Sequence, residues 1–441
     1  MRRLNKPILA IATLLIAFSA KAQSNLPYGL KSGKPYAGTT VQALVVVTPQ
    51  FKGLELRADE FTKLTGINVK WTEVPFKSLQ EKMASVGVAA DGNYDVVNYL
   101  DAWGPANAHW LVPLNPLLAR DGINLDRYPP AFVKASSFGG KVIGLPMRSH
   151  TQLFFYRKDI FDELKLPAPK TWDDVVAAGV AIKNAKPGVG PLACYYGADG
   201  NRQNLFIWVN YLWGAGAQIF DAKGQPAWDS PKAIKATKDF IGLNTEHKIC
   251  ADGAVSALEQ DARVSFMQGK AAMIPVWWWA YSGFVNPTTS KLKPEQVAFT
   301  SMPSYKGAQP VTLATSLPFA ISKYSKHQEA AWEFMKWVSN PDLEKKNAIE
   351  RSVAGVEIIN NVVNHKVNLL DSAVDAANNG VPVAGAASLA KADVMPMIAE
   401  WPEVGDLLSN AINKAAAGGD IEQLLKASAK DATRALRRAR K

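Results

Sequence analysis

A chain of 441 residues with 48% hydrophobic and 20% charged side chains holds enough apolar material for two or more compact units, and its composition is that of an ordinary globular protein rather than a disordered one. The formal charge of +11 sits at the ends: Arg2, Arg3, Lys6 and Lys21 supply four charges and Arg434, Arg437, Arg438, Arg440 and Lys441 five, leaving about +2 on the body. Cations at the end of a C-terminal helix complement its dipole, so no nucleic-acid partner is expected.

The first 22 residues read as an export signal. Arg2, Arg3 and Lys6 form a basic region, residues 8–18 an apolar core, and Ala20-Lys21-Ala22 a small-residue cleavage site before Gln23. The mature protein is therefore expected in the periplasm. The apolar core is too short for a spanning helix, and no later stretch approaches about 20 uninterrupted apolar residues. Export permits a disulfide between Cys194 and Cys250, the only cysteines; two separate buried thiols are the alternative.

After a Gly/Pro-rich leader at 26–38, residues 39–47 form a β-branched run that reads as a buried strand. A polar loop at 48–53, a helix at 54–64 stopped by Gly66, a strand at 67–74, a helix at 76–88 and a strand at 94–100 follow. This order predicts a parallel sheet covered by helices. Ligands of such sheets bind beyond the carboxyl ends of the strands, which points to Thr48, Gln50, Asp101 and Trp103. Residues 142–145 and 153–156 read as strands separated by Pro146, with Arg148, Ser149, His150, Thr151 and Gln152 lining a passage between domains. Helices are expected at 172–184, opened by Thr171 and Asp174 at capping-box spacing, and at 204–213, 233–243 and 262–267. A short strand at 319–322 precedes an amphipathic helix with Ala330, Phe334 and Val338 on one stripe, and from Asp371 the chain is Ala-rich and helical.

The stretch at 269–282, GKAAMIPVWWWAYS, is the most distinctive. Residues 271–276 read as a buried strand, and side chains of an extended segment alternate in direction, so Trp277, Trp278 and Trp279 cannot all enter one core. At least one is expected at a cleft, where a flat indole with its N–H suits a sugar or polyol. Searches for catalytic chemistry find no GxxxxGK[ST], HExxH or GxSxG, and the G-x-G-x-x-A at Gly188, Gly190 and Ala193 follows Lys186-Pro187 where a strand is required. His109, His150, His247, His327 and His365 lack ligand spacing, so neither metal nor cofactor is expected. Tyr195-Tyr196 reads as an ordinary strand pair, and no spacing singles out a hydrolytic carboxylate pair.

Four stretches together carry a resemblance: YDVVNYLDAWGPANAHWLVPLNPLL at 94–118, GKVIGLPMRSHTQLFFYRKDIFDELKLPAPKTWDDVVAA at 140–178, FMQGKAAMIPVWWW at 266–279 and LPFAISKYSKHQEAAWEFMKWVSNPDLEKK at 317–346. In this order they resemble the extracellular solute-binding proteins of bacterial ABC importers, in the sugar-binding branch that includes maltose-binding protein. The resemblance implies a two-lobed α/β periplasmic-binding-protein fold with three crossings and a ligand cleft between the lobes. Carried over, the crossings fall near 147–152, 274–277 and 317–320. Lobe one is then 23–148 with 276–318, and lobe two 149–275 with 319–441.

The resemblance also implies a monomer that captures ligand by hinge closure, without turnover, and delivers it to permease subunits in the inner membrane. Trp103, Trp277, Trp278 and Trp279 are the expected stacking residues, and Gln50, Asp101, Arg148, Gln152, Asn201 and Ser316 the expected hydrogen-bonding residues. A neutral sugar or polyol is favoured. Arg148 keeps an acidic or phosphorylated ligand as the alternative, with a secreted carbohydrate-active enzyme further off.

Overall fold

The computed structural model describes residues 26–358 and 360–439; the expected export signal and the last two residues of the basic tail lie outside the described residues. Strand β1, Thr40–Val46, runs parallel to β2, Asn68–Val74, with Thr40 opposite Asn68 and Val46 opposite Val74. On its other side lies β3, Val96–Asn98, also parallel. The helix Phe76–Ala89 connects β2 to β3, while the β1–β2 connection contains the helices Pro49–Glu55 and Ala58–Thr65. The first of these starts earlier than the sequence suggested, because the Thr48 hydroxyl accepts the Phe51 N–H at 3.2 Å and Pro49 suits the first turn. Gly66 ends the second helix in the left-handed conformation, φ 73°.

The second sheet is built from β4, His150–Arg157; β5, Gly190–Leu192; β6, Ala271–Trp277; β7, Val297–Thr300; and β8, Thr312–Thr315. Strand β9, Phe319–Ile321, returns to the first sheet antiparallel to β3, and β10, Ala392–Asp393, closes the far edge of the second. The orders are β9-β3-β1-β2 and β10-β8-β4-β6-β5, with β7 also on β4. The strand expected at 153–156 thus begins at His150, which places His150, Thr151 and Gln152 inside the sheet.

This pairing corrects two of the expected crossings' consequences. Residues 274–277 do not cross between lobes: β6 lies beside β4, with Ile274 opposite Phe155 and Trp277 opposite Gln152. The exchanged segments are also reversed. Strands β7 and β8, placed by the sequence reading in lobe one, belong to the second sheet, whereas β9 and the helix Gln328–Val338 belong to the first. Periodicity identifies a strand but not its partner, so the assignment lay beyond a pattern reading. The chain passes between lobes at 147–150, at 315–319, and after the helix Pro341–Ile349, where Val362 and Val363 enter the second core.

Each sheet has its own core. Phe334, Trp332 and Trp337 pack with Val41, Val45 and Phe61 in lobe one, while Trp208, Tyr211 and Phe240 centre the core of lobe two. Cys194 and Cys250 are bonded, with Cα atoms 5.4 Å apart and a sequence separation of 56. A loop of that order adds roughly 4 kcal/mol in the chain-entropy model.

Candidate ligand-binding cleft

The three crossings are tied to one another where they meet. The Leu317 N–H donates to the Arg148 carbonyl at 3.1 Å, the Ser149 and Ser316 hydroxyls are 2.7 Å apart, and the Ser149 N–H donates to Asn364 Oδ1 at 2.8 Å. Beside this knot opens a cavity of about 600 Å³. Thr48, Gln50 and Phe76 line it from lobe one; Phe206, Glu259, Arg263, Trp277 and Trp279 line it from lobe two. Arg148, Thr315 and Asn361 come from the crossings.

The tryptophan run divides as the alternation of an extended chain requires. Trp277, the last residue of β6, faces the cavity and donates its indole N–H to Glu259 Oε2 at 2.9 Å. Trp278 points the other way and is fully buried, edge-on to Phe132 at 6.4 Å. A Cβ on Gly385 would lie 2.0 Å from its ring, so the facing helix Val381–Leu389 needs glycine there. The chain then turns, and half-buried Trp279 returns to the cavity.

Charged groups gather around Trp279. The Arg148 and Arg263 guanidinium carbons lie 4.7 and 4.9 Å from its ring centroid. Arg263 Nε donates to Glu259 Oε1 at 3.1 Å. Burial pushes the Glu259 carboxyl upward in pKa, opposed by Arg263 and the Trp277 N–H. Burial draws Arg148 down to about 10, with Glu259 acting against that and Arg263 adding to it. The Trp279 indole N–H donates to His150 Nε2 at 3.2 Å, so the imidazole proton sits on Nδ1. Burial, then the Arg148 charge, hold His150 well below its ordinary pKa, and the ring is neutral.

Of the expected ligand residues, the structure brings Gln50, Arg148, Asn201, Trp277 and Trp279 to this cavity. The Gln50 side-chain amide donates to the Met147 carbonyl at 3.0 Å, leaving its Oε1 without a partner. Asn201 sits on a turn, its amide 3.3 Å from Asp199. Five others do not line it. Trp103 is buried in lobe one, stacked on Phe76 at 5.8 Å. Gln152 is buried in β4, its Oε1 accepting from Asn210 at 2.8 Å, and Trp278 is core. Ser316 is buried in the knot. Asp101 neighbours the cleft without lining it, accepting the Ala102 and Ser316 N–H groups at 2.7 and 3.1 Å. Burial outweighs these bonds and raises its pKa to about 7. A strand-end rule finds the right region but cannot tell which side chains turn inward.

Sequence reading missed Glu259, Arg263 and Phe76 as lining residues, and named His150 only as part of the polar segment. The i,i+4 spacing of Glu259 and Arg263 on the helix Glu259–Met267, just before β6, was the available signal. Tyr195 and Tyr196 are both buried, and the Tyr196 hydroxyl donates to the Phe240 carbonyl at 2.8 Å. Among the described residues no His/Cys/Asp/Glu group suits a metal ion, and no helix is long and apolar enough to cross a membrane.

The sequence matches the family of bacterial extracellular solute-binding proteins over residues 46–345. The chain belongs to that family. As a solute-binding protein of the ABC-importer class it is a binder and not an enzyme. Its fold matches a solute-binding protein of Agrobacterium radiobacter K84 in complex with ribitol, at TM-score 0.78 and 24% identity over 91% of this chain and 99% of that one. The maltose-bound MalE3 of T. maritima matches at TM-score 0.78 and 22% identity, over 90% and 99%. By sequence, the solute-binding protein is 23% identical to one from Sinorhizobium fredii named as a probable amino-acid ABC transporter periplasmic-binding protein, covering 76% of this chain and 75% of that one.

Proposed function

We propose that this solute-binding protein captures a sugar or polyol in the cleft by hinge closure and presents it, as a monomer in the periplasm, to the permease subunits of an ABC importer. Cleavage after Ala22 releases the mature chain. The observation that carries the reading is a cavity of about 600 Å³ walled by both lobes, with Trp277 and Trp279 on one wall and the crossings at its edge. An indole face offers apolar contact to a pyranose or polyol, while Gln50, Arg148 and Asn201 offer polar atoms to its hydroxyls. A ligand that touches both lobes stabilises the closed arrangement by its differential contact. The ribitol and maltose of the two structural neighbours support this ligand class.

The test is thermal unfolding of the chain from Gln23 onward against mono- and disaccharides, polyols and sugar acids. A ligand at about a hundredfold its dissociation constant adds roughly 2.7 kcal/mol, visible as a higher midpoint. The expected outcome is a rise with one polyhydroxylated class and recovery of the ligand unchanged. A flat response to the whole panel, or recovery of a cleaved product, rejects the reading.

A further inference from the structure

We propose that the ligand is a sugar acid, a polyhydroxylated ring or chain bearing one carboxylate, and that Arg148 holds the carboxylate. The inference rests on the capture reading and narrows its ligand.

Arg148 is nine-tenths buried, yet among the described residues it forms no ion pair, and its Nε has no hydrogen-bond partner. The other guanidinium beside Trp279 is already matched: Arg263 is paired with Glu259, and Glu259's second oxygen accepts from Trp277. The trio Arg148, Arg263 and Glu259 therefore carries a single net positive charge. The remaining charged lining residues, Lys77 and Asp199, cancel in sign.

Closing the lobes over a neutral ligand buries this charge further with nothing to balance it, and an uncompensated buried charge is strongly unfavourable. A carboxylate removes the imbalance and matches the planar guanidinium fork bidentately. A phosphate dianion brings more charge than one unpaired guanidinium balances. The rest of the wall suits hydroxyls. Gln50, Asn201 and Gln203 line it with side-chain amides, and Trp277 and Trp279 supply apolar surface.

The experiment is isothermal titration of the mature chain with matched pairs, D-galactose with D-galacturonate and D-glucitol with D-gluconate, and with D-glucose 6-phosphate. In at least one pair the acid is expected to bind about 10- to 150-fold more tightly than its neutral partner, the range for a hydrogen bond to a charged group. That preference should shrink as sodium chloride rises from about 0.02 to about 0.5 M. Arg148→Gln should reduce the ratio to near unity, and Arg148→Lys should retain part of it. Equal affinity within each pair, or an Arg148→Gln variant that weakens acid and neutral ligand alike, overturns the sugar-acid assignment and leaves capture standing. Tighter binding of the phosphate than of either acid overturns the single-carboxylate assignment. Absence of binding by every probe overturns the sugar-acid assignment, and the capture reading is then decided by the wider unfolding panel. The matched pairs and salt series on the unaltered protein decide the matter even if a variant fails to fold.

Discussion

Arg148 and Ser149 are neighbours in sequence and belong to opposite kinds of site. The Ser149 side of the first crossing faces a knot whose polar groups are bonded to one another across the crossings, through Ser316 and Asn364. Just beyond, Glu344 accepts four N–H bonds: from the backbone and side-chain amides of Asn364 at 2.9 and 2.7 Å, from His365 N at 3.0 Å and from Asn368 Nδ2 at 2.9 Å. Burial alone would raise the Glu344 pKa, but the adjacent His365 and these donors hold it down at about 2. The Arg148 side faces the cleft, where among the described residues the Arg148 guanidinium has no ion pair. A hydrogen-bonded buried polar network rigidifies a fold, whereas a guanidinium without an ion pair at a cavity wall can still pair with an anion that enters. Composition does not distinguish the two; bonding does.

The contrast can be broken most forcefully in the knot. Glu344→Ala leaves four buried donors unpaired and is expected to cost about 3–5 kcal/mol, read by urea denaturation. A loss below about 1 kcal/mol would mean the network contributes little to holding the crossings together. Trp278→Ala, on the core side of the tryptophan run, is expected to cost about 3–5 kcal/mol in the same assay with ligand affinity of the folded fraction unchanged. A weakened affinity would return Trp278 to the binding surface.

The pH dependence separates the two buried carboxylates by sign. Asp101 has its pKa raised from 3.8 to about 7, so its favourable contribution is complete below the lower value and is lost as pH rises through the upper one. That loss amounts to a few kcal/mol at most. Glu344 has its pKa lowered from 4.5 to about 2, so its contribution is present above the higher value and fades as pH falls toward the lower. Denaturation between about pH 4 and pH 8 should show stability falling less in Asp101→Asn than in the unaltered protein. Parallel curves for the two proteins would contradict this assignment. The smallest effect is expected at the cleft itself: Trp279→Ala should lower ligand affinity roughly tenfold, measured by titration, while shifting the unfolding midpoint little. A large loss of stability instead would make Trp279 a structural residue.

Much of the fold was legible because its signals are local. The β-α-β-α-β order of the first lobe, the Thr171–Asp174 capping box and the helices beyond Asp371 come from periodicity and cap chemistry, which act over a few residues. That the tryptophan run cannot enter one core was legible for the same reason, since side chains of an extended segment alternate, although the sequence reading left Trp278 among the stacking residues. What the sequence alone determined is thus the alternating order of the first lobe, the family, and a cleft bordered by Gln50, Arg148 and an indole. Only the tertiary structure decided that β7 and β8 join the second sheet while β9 returns to the first, that Gln152 bonds Asn210, and that among the described residues Arg148 meets no carboxylate. Those outcomes depend on which strand lies beside which and on side chains brought together by packing, and no local propensity encodes a partner that is distant in sequence, as Asn210 is from Gln152.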